Sequence, residues 1–142
     1  MMKHKLYHLL LLSAIMLTAM SCKQKTGGEE AAAEKKTTVN VSLDAFEKAM
    51  ADTAKTVVLD VRSKEEYAES HLKRAIYIDI SDKNFREECL QLLPKGKTVC
   101  VYCRTAFRSK TAADILNEAG YDVIHMKGGF VAWTKAGKET VK

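Results

Sequence analysis

Three residues within one short stretch have side chains suited to nucleophilic chemistry: Cys103, Arg104 and Arg108. A run of residues that favour buried strands precedes the cysteine, and apolar residues at helical spacing follow the arginines. The thiol therefore lies where a strand ends and a helix begins, and helix N-termini favour negative charge through unpaired amides and the macrodipole. The positive charges of the two arginines also favour a negative charge at this position. The pattern predicts a thiolate nucleophile in a loop that holds an anion.

The stretch resembles the active-site loop of rhodanese-type sulfurtransferases, and here it reads Cys103-Arg104-Thr105-Ala106-Phe107-Arg108-Ser109. In that family the loop cysteine takes a sulfur atom and becomes a persulfide, which the loop amides hold. The resemblance implies that Cys103 is catalytic and that the five residues after it bind the substrate: Arg104, Thr105, Ala106, Phe107 and Arg108. The family often has Gly where this chain has Ala106, and Gly tolerates backbone angles that Ala resists.

Loop length bears on the reaction class. Tyrosine phosphatases and rhodanese-fold phosphatases place five residues between Cys and Arg, a spacing that fits a phosphate. This chain places four residues between Cys103 and Arg108, which narrows the loop toward a single sulfur atom. The resemblance and the spacing favour transfer of a sulfane sulfur from a donor such as thiosulfate to cyanide or a thiol, without a cofactor. A phosphatase or arsenate reductase, and a non-catalytic persulfide carrier or partner-binding module, remain as alternatives.

Cys100 and Cys103 also form a C-x-x-C pair, which could indicate a redox pair or half of a metal site. On a strand, however, residues three apart point to opposite faces, so a disulfide or a shared metal is awkward. No second Cys/His pair has metal-ligand spacing, and we expect no metal. Cys89 fits as a small apolar core residue.

Further segments extend the resemblance over residues 41 to 134. Asp60-Val61-Arg62 and Ser70-His71-Leu72 are similar to the first rhodanese signature, and Gly128-Gly129 with Trp133 is similar to the closing Gly-Gly-x-x-x-Trp element. Ser70 and Arg74 stand where the family commonly has Gly.

We expect Asp60 and Arg62 to form an ion pair that supports the loop rather than to take part in chemistry. His71 is interpreted as a structural turn residue and Trp133 as part of the core. We expect His125, on a strand, to be partly exposed and inert.

The elements that must position this loop alternate along the chain. Near-continuous apolar strands separated by helices indicate an α/β fold, rhodanese-like, with a central parallel sheet and helices on both faces. In such sheets ligands bind beyond the carboxyl ends of the strands, where Cys103 lies. Strands are predicted at 56–61, 75–80, 98–102 and 121–126, and helices at 42–50, 63–67, 85–92, 110–119 and 130–135.

The N-terminal region predicts export. Residues 1–21 have a basic start and a short apolar run, typical of a signal peptide, and the sequence before Cys22 resembles a bacterial lipoprotein signal with lipidation at that cysteine. Ordinary secretory cleavage at the same bond is the alternative. Residues 22–38 are polar and low in complexity, which predicts a flexible tether, and residues 39–142 form the domain. The protein is therefore expected outside the cytoplasm, anchored by lipid to a bacterial membrane, in the periplasm or at the cell surface.

The net charge of the chain argues against nucleic acid as a partner. The net charge of +5 falls to +3 once Lys3 and Lys5 are removed with the signal segment. That value is too small, and too mixed with acidic residues, to indicate nucleic-acid binding, but it weakly attracts small anions. The expected partners are an anionic sulfur donor, a thiol or cyanide acceptor, the membrane, and possible protein acceptors of sulfur.

Overall fold

A computed structural model describes residues 34–142 of the chain. Five parallel strands form one sheet in the order β1-β5-β4-β2-β3, which confirms the predicted α/β class. The elements in chain order are β1 (Thr38–Val41), α1 (Leu43–Ala51), β2 (Thr56–Asp60), α2 (Lys64–Glu69), β3 (Ile76–Tyr77), α3 (Phe85–Leu92), β4 (Thr98–Tyr102), α4 (Phe107–Glu118), β5 (Val123–Met126) and α5 (Gly129–Lys135).

Each face of the sheet has its own core because successive strand residues point to opposite sides. On one side Val99 and Val101 of β4 pack with residues of α3 and α4 such as Phe85 and Leu116. On the other side Cys100 and Tyr102 pack with residues of α1 and α5, including Phe46 and Trp133. The strand β4 lies between β5 and β2, so its carboxyl end is covered from both sides.

Local sequence signals explain where two helices begin. The Ser42 hydroxyl accepts a hydrogen bond from the amide of Ala45 at the start of α1. At α2, Ser63 and Glu66 form the reciprocal capping box that their spacing predicts, with bonds of 3.3 and 3.1 Å. Both helix starts confirm the sequence interpretation.

Several elements differ from the sequence expectation. β1 was not predicted, since its four residues follow a polar tract and lack an apolar run. Lys36 and Thr37 bond the Asp122 carboxylate, and Thr38 belongs to β1, so the ordered domain begins a few residues before position 39. β3 has two residues instead of six, and α4 begins at Phe107 instead of residue 110.

The predicted signal peptide at residues 1–21, the lipidation site Cys22 and most of the predicted tether lie outside the described residues. Within residues 34–142, every helix is too short or too polar to cross a lipid bilayer.

Candidate active site

Cys103 immediately follows β4 and lies at the carboxyl end of the central strand, as predicted. Its side chain is 1% exposed. The next residues form a short turn that leads into α4. Arg104, Thr105 and Phe107 are exposed around this turn, and Phe107 is 81% exposed.

The turn after Cys103 leaves a row of backbone donors free. The amides of residues 104–109 bond no acceptor in the described chain, and the first amide of α4 that does is that of Lys110, which donates to Ala106 O at 3.3 Å. Ala106, just before α4, adopts φ +80° and ψ −7°, in the left-handed region. This is the backbone conformation for which Gly is normally preferred, and it is what allows the chain to turn directly from β4 into α4.

Two backbone carbonyls of the turn, in contrast, accept hydrogen bonds from α5. The amide of Phe130 donates to Cys103 O at 2.8 Å, and that of Val131 donates to Arg104 O at 3.0 Å. A Cβ at Gly129 would lie 2.5 Å from Arg104 O and 2.7 Å from Cys103 O, so only Gly allows this approach. The Gly-Gly element therefore fixes the position of the turn through α5.

The two arginines of the loop have different environments. Arg108 lies in the first turn of α4 and donates two hydrogen bonds to the carboxylate of Glu66, at 3.0 and 2.8 Å. Burial alone raises the pKa of Glu66, but the Ser63 amide and Arg108 outweigh it and hold that pKa below its ordinary value. Arg104 forms no ion pair within residues 34–142 and borders a pocket of about 370 Å³ together with Arg62, Glu66 and Phe130. The spacing of Ser63 and Glu66 predicted a capping box at the start of α2. No sequence signal indicated that Glu66 also bonds Arg108.

Asp60 and Arg62 form the expected ion pair, almost fully buried, with a shortest N–O distance of 2.7 Å. Burial by itself lowers the pKa of Arg62, and the bonds to Asp60 raise it overall. The Tyr102 hydroxyl donates to Asp60 at 2.5 Å, and Arg62 also donates to Ser70 O at 2.7 Å. The Arg62 guanidinium lies 3.9 Å from the centre of the Phe130 ring. The pair thus contacts Tyr102, which precedes Cys103, and Phe130, whose amide binds Cys103 O.

The expectation that His125 is exposed and inert is wrong about its exposure. Its ring is 5% exposed and lies between three polar groups. Nε2 lies 2.8 Å from Ser109 Oγ and 3.2 Å from Ala106 O, and Nδ1 lies 2.7 Å from Asn40 Oδ1. Ser109 Oγ in turn lies 3.2 Å from Cys103 Sγ. Sequence reasoning missed this connection because Asn40 is 85 positions from His125 and lies on the unpredicted strand β1.

The other two cysteines of the domain are buried. Cys100 and Cys103 pack in different cores on opposite faces of the sheet, and all three cysteines of the described region are free thiols. Burial raises the pKa of Cys89 to about 12 and that of Cys100 to about 11, which keeps both protonated at neutral pH. No cluster of three or more His, Cys, Asp or Glu side chains in residues 34–142 has the geometry to hold a metal.

The residues interpreted as structural have structural contacts. The His71 ring stacks on Tyr67 with centroids 3.8 Å apart and Nδ1 lies 3.0 Å from Tyr67 O, while Trp133 is buried in the core. Besides Ala106, the family commonly has Gly at two positions, of which Arg74 has φ +63°, whereas Ser70 has φ −172°, an extended conformation open to any residue. Only the first substitution strains the backbone.

Comparison with known proteins gives one consistent result. The family model described as "Rhodanese-like domain" matches residues 42–136. The chain is 28% identical over 98 residues to a "Sulfurtransferase" of Allochromatium vinosum, covering 68% of this chain and 89% of that protein. A solved structure of a "rhodanese-related protein" from Thermoplasma volcanium is 26% identical, with a TM-score of 0.59, over 73% of this chain and 96% of that one.

Some relatives are larger proteins. The chain is 41% identical over 80 residues to a "Probable molybdopterin-synthase adenylyltransferase" of Porphyra purpurea, covering 56% of this chain but 21% of that protein. The chain spans between about a fifth and about a half of the length of the first curated relatives it matches.

Proposed function

The chain belongs to the rhodanese-like domain family, and on that premise we propose that it is a sulfurtransferase that carries a sulfane sulfur as a persulfide on Cys103. The observation that carries the proposal is the row of amides, residues 104–109, that follows this thiol without acceptors of its own. Such a row stabilises an anion at the end of the cysteine side chain. The similarity to a protein named as a sulfurtransferase supports the same class.

With thiosulfate as donor, the Cys103 thiolate attacks the outer sulfur. A Cys–S bond to that sulfur forms, the S–S bond of thiosulfate breaks, and the electron pair leaves with sulfite. The product is an anionic persulfide, held by the loop amides. In the second half-reaction, cyanide attacks the outer sulfur and leaves as thiocyanate, which regenerates the thiolate. A thiol acceptor reacts in the same way and becomes a persulfide itself.

Arg104 is the residue we assign to attracting the anionic donor. It is exposed beside Cys103 and borders the pocket that also contacts Arg62 and Glu66. Because Arg108 already binds Glu66, its charge is largely offset by that carboxylate. This arrangement suits a singly charged persulfide better than a phosphate dianion, which argues against the phosphatase and arsenate reductase alternatives.

The test is intact-mass analysis of the full chain after incubation with thiosulfate, with Cys103→Ser as control. We expect a gain of one sulfur atom on the native protein alone, and its release to cyanide as thiocyanate. A persulfide that forms but reacts with neither cyanide nor small thiols would instead support the carrier alternative. If a fully reduced protein gains no sulfur from thiosulfate, polysulfides or persulfidated thiols, the proposal is wrong. Hydrolysis of p-nitrophenyl phosphate, abolished by Cys103→Ser, would assign the phosphatase class instead.

For location, we propose that the domain acts outside the cytoplasm, anchored through a lipid on Cys22, because the segment before that cysteine resembles a lipoprotein signal. Growth of a bacterial expression host with radiolabelled palmitate tests this. The native chain should be labelled and Cys22→Ala should not. Equal labelling of both proteins would refute the anchor, and release of an unlabelled mature protein would favour ordinary secretion.

A further inference from the structure

A line of polar contacts leads from Cys103 away from the substrate side of the loop. It runs from Cys103 Sγ to Ser109 Oγ (3.2 Å), to His125 Nε2 (2.8 Å), and from His125 Nδ1 to Asn40 Oδ1 (2.7 Å). Cys103, Ser109 and His125 are buried, and Asn40 is exposed on β1. The mechanism described above uses neither of the buried side chains of Ser109 and His125, although Ser109 Oγ contacts the reacting sulfur and His125 contacts Ser109.

The proposal requires one arrangement of the protons along this line. The amide oxygen of Asn40 can only accept, so Nδ1 carries a proton and donates it. In a neutral imidazole, Nε2 then has a free lone pair, and the Ser109 hydroxyl donates to it. The oxygen of Ser109 remains free to accept a hydrogen bond from the Cys103 thiol. In this state Nε2 accepts from Ser109, and Ala106 O, 3.2 Å from Nε2, has the amide of Lys110 as its donor.

We propose that this line removes the proton of Cys103: Ser109 transfers its proton to His125 Nε2 and takes the thiol proton in exchange. The S–H bond breaks, its electron pair stays on sulfur, and the products are a Cys103 thiolate and a His125 imidazolium. The proton gained by Nε2 has an acceptor ready, since Ala106 O lies 3.2 Å away. The Ser109 hydroxyl then donates to the thiolate. Ser109 is the catalytic residue, and His125 acts through it.

The inference rests on the proposed function, since it explains how the nucleophile of that reaction is prepared. It also explains the return step. When a thiol acceptor removes the sulfur, the proton stored on His125 can return through Ser109 to the Cys103 leaving group. Burial and the charge of Lys110 on α4 outweigh the hydrogen bond to Ala106 O and hold the pKa of His125 below its ordinary value, so the ring is neutral in the resting protein.

The closing experiment measures the thiolate directly and needs no sulfur donor. The ultraviolet thiolate absorbance of the full chain, in a non-absorbing detergent, is followed against pH and corrected with the Cys103→Ser protein. Cys89 and Cys100 stay protonated over the useful range because their pKa values are near 12 and 11. We expect Ser109→Ala and His125→Asn to move the half-point of the Cys103 signal upward by about one pH unit, which is a tenfold loss of thiolate below it.

The matched control is His71→Asn, the same substitution at the stacked histidine, which should leave the curve unchanged. If His125→Asn does not fold, Asn40→Asp replaces it, because position 40 is exposed. A carboxylate beside Nδ1 stabilises the imidazolium, so the half-point should move downward. Unchanged curves for folded Ser109→Ala and His125→Asn, or for Asn40→Asp, would overturn the proposal.

Nitrogen NMR of the histidine rings gives a second measurement. The proposal requires neutral His125 to carry its proton on Nδ1. A proton on Nε2 would mean that the Asn40 amide is reversed and that His125 cannot receive a proton from Ser109, which refutes the relay. Either failure leaves the mass assay for the persulfide unaffected, so the relay and the sulfurtransferase proposal fail separately.

Discussion

Ala106 carries the clearest strain in the candidate site, and Ala106→Gly should relieve it. Its φ of +80° places a Cβ in the left-handed region, which costs a non-Gly residue about 1–2 kcal/mol. Against this gain, Gly has more freedom in the unfolded chain, which costs about 0.4–1 kcal/mol. Loss of a half-buried methyl group costs about 0.4 kcal/mol more. The net expectation is a stabilisation of about 0.5 kcal/mol.

A matched control separates strain from the general cost of glycine. Ala45 is exposed on α1 with helical backbone, so Ala45→Gly should destabilise the domain by about 0.5–1 kcal/mol. The two variants make the same chemical change, and the difference between them, about 1–2 kcal/mol, reports the left-handed strain. In urea unfolding of the full chain their midpoints should lie about 1 M apart, since m is about 1–3 kcal/mol/M.

One outcome of the urea unfolding experiment would refute the strain at Ala106. If Ala106→Gly lowers the midpoint as much as Ala45→Gly does, with m unchanged, position 106 carries no strain and the turn after Cys103 differs from the one described. Because m reports the surface exposed on unfolding, the difference between the two midpoints measures strain only while m stays the same in both variants. The turn geometry should survive the substitution, so Ala106→Gly should still take up sulfur from thiosulfate.

Three further predictions follow from the same contacts. Gly129→Ala forces a Cβ against the Arg104 carbonyl, so it should lower the rate of sulfur uptake by more than about tenfold while circular dichroism still shows a folded domain. Near-native uptake would contradict the close contact between Gly129 and the turn. Asp60→Ala leaves Arg62 buried without its partner, and urea unfolding should show a loss of about 3–5 kcal/mol, whereas a loss below 1 kcal/mol would argue that the pair is solvated. The free energy of unfolding should fall as pH drops below 6.5, because the unfolded chain then protonates a histidine that burial keeps neutral in the fold. His125→Asn should flatten this dependence of the free energy of unfolding on pH relative to native protein. Equal slopes for the two proteins would show that His125 titrates normally.

The parts of the fold that the sequence predicted are those encoded locally. β2 and β4 are runs of β-branched residues, and the capping box at Ser63 is read within four positions. β1 is short, is interrupted by the polar Asn40, and is held by pairing with β5, more than 80 positions away. The length of β3 was overestimated because an apolar stretch continues past the two residues that pair with β2.

The candidate site shows the same division between local and distant signals. Cys103 and its loop were identified because strand, thiol and helix are contiguous. The partner of Arg108 is 42 positions away, and the partner of His125 on β1 is 85 positions away. A lone His on an apolar strand gives no periodic signal that distinguishes an exposed ring from a buried and hydrogen-bonded one, so the prediction for His125 followed the commoner case and was wrong about its burial.

The charge of the site is set more by the backbone than by its arginines. Arg62 is offset by Asp60 and Arg108 by Glu66, which leaves Arg104 as the unpaired arginine of the loop within residues 34–142. The carbonyls of Cys103 and Arg104 accept hydrogen bonds from the amides of α5, whereas the amides of residues 104–109 bond no acceptor within residues 34–142. A row of free donors with one unpaired cation would suit the single negative charge of the proposed persulfide. Gly129 contributes to this arrangement, because its close approach lets α5 bind the carbonyls of Cys103 and Arg104, which would otherwise be free to repel a bound anion.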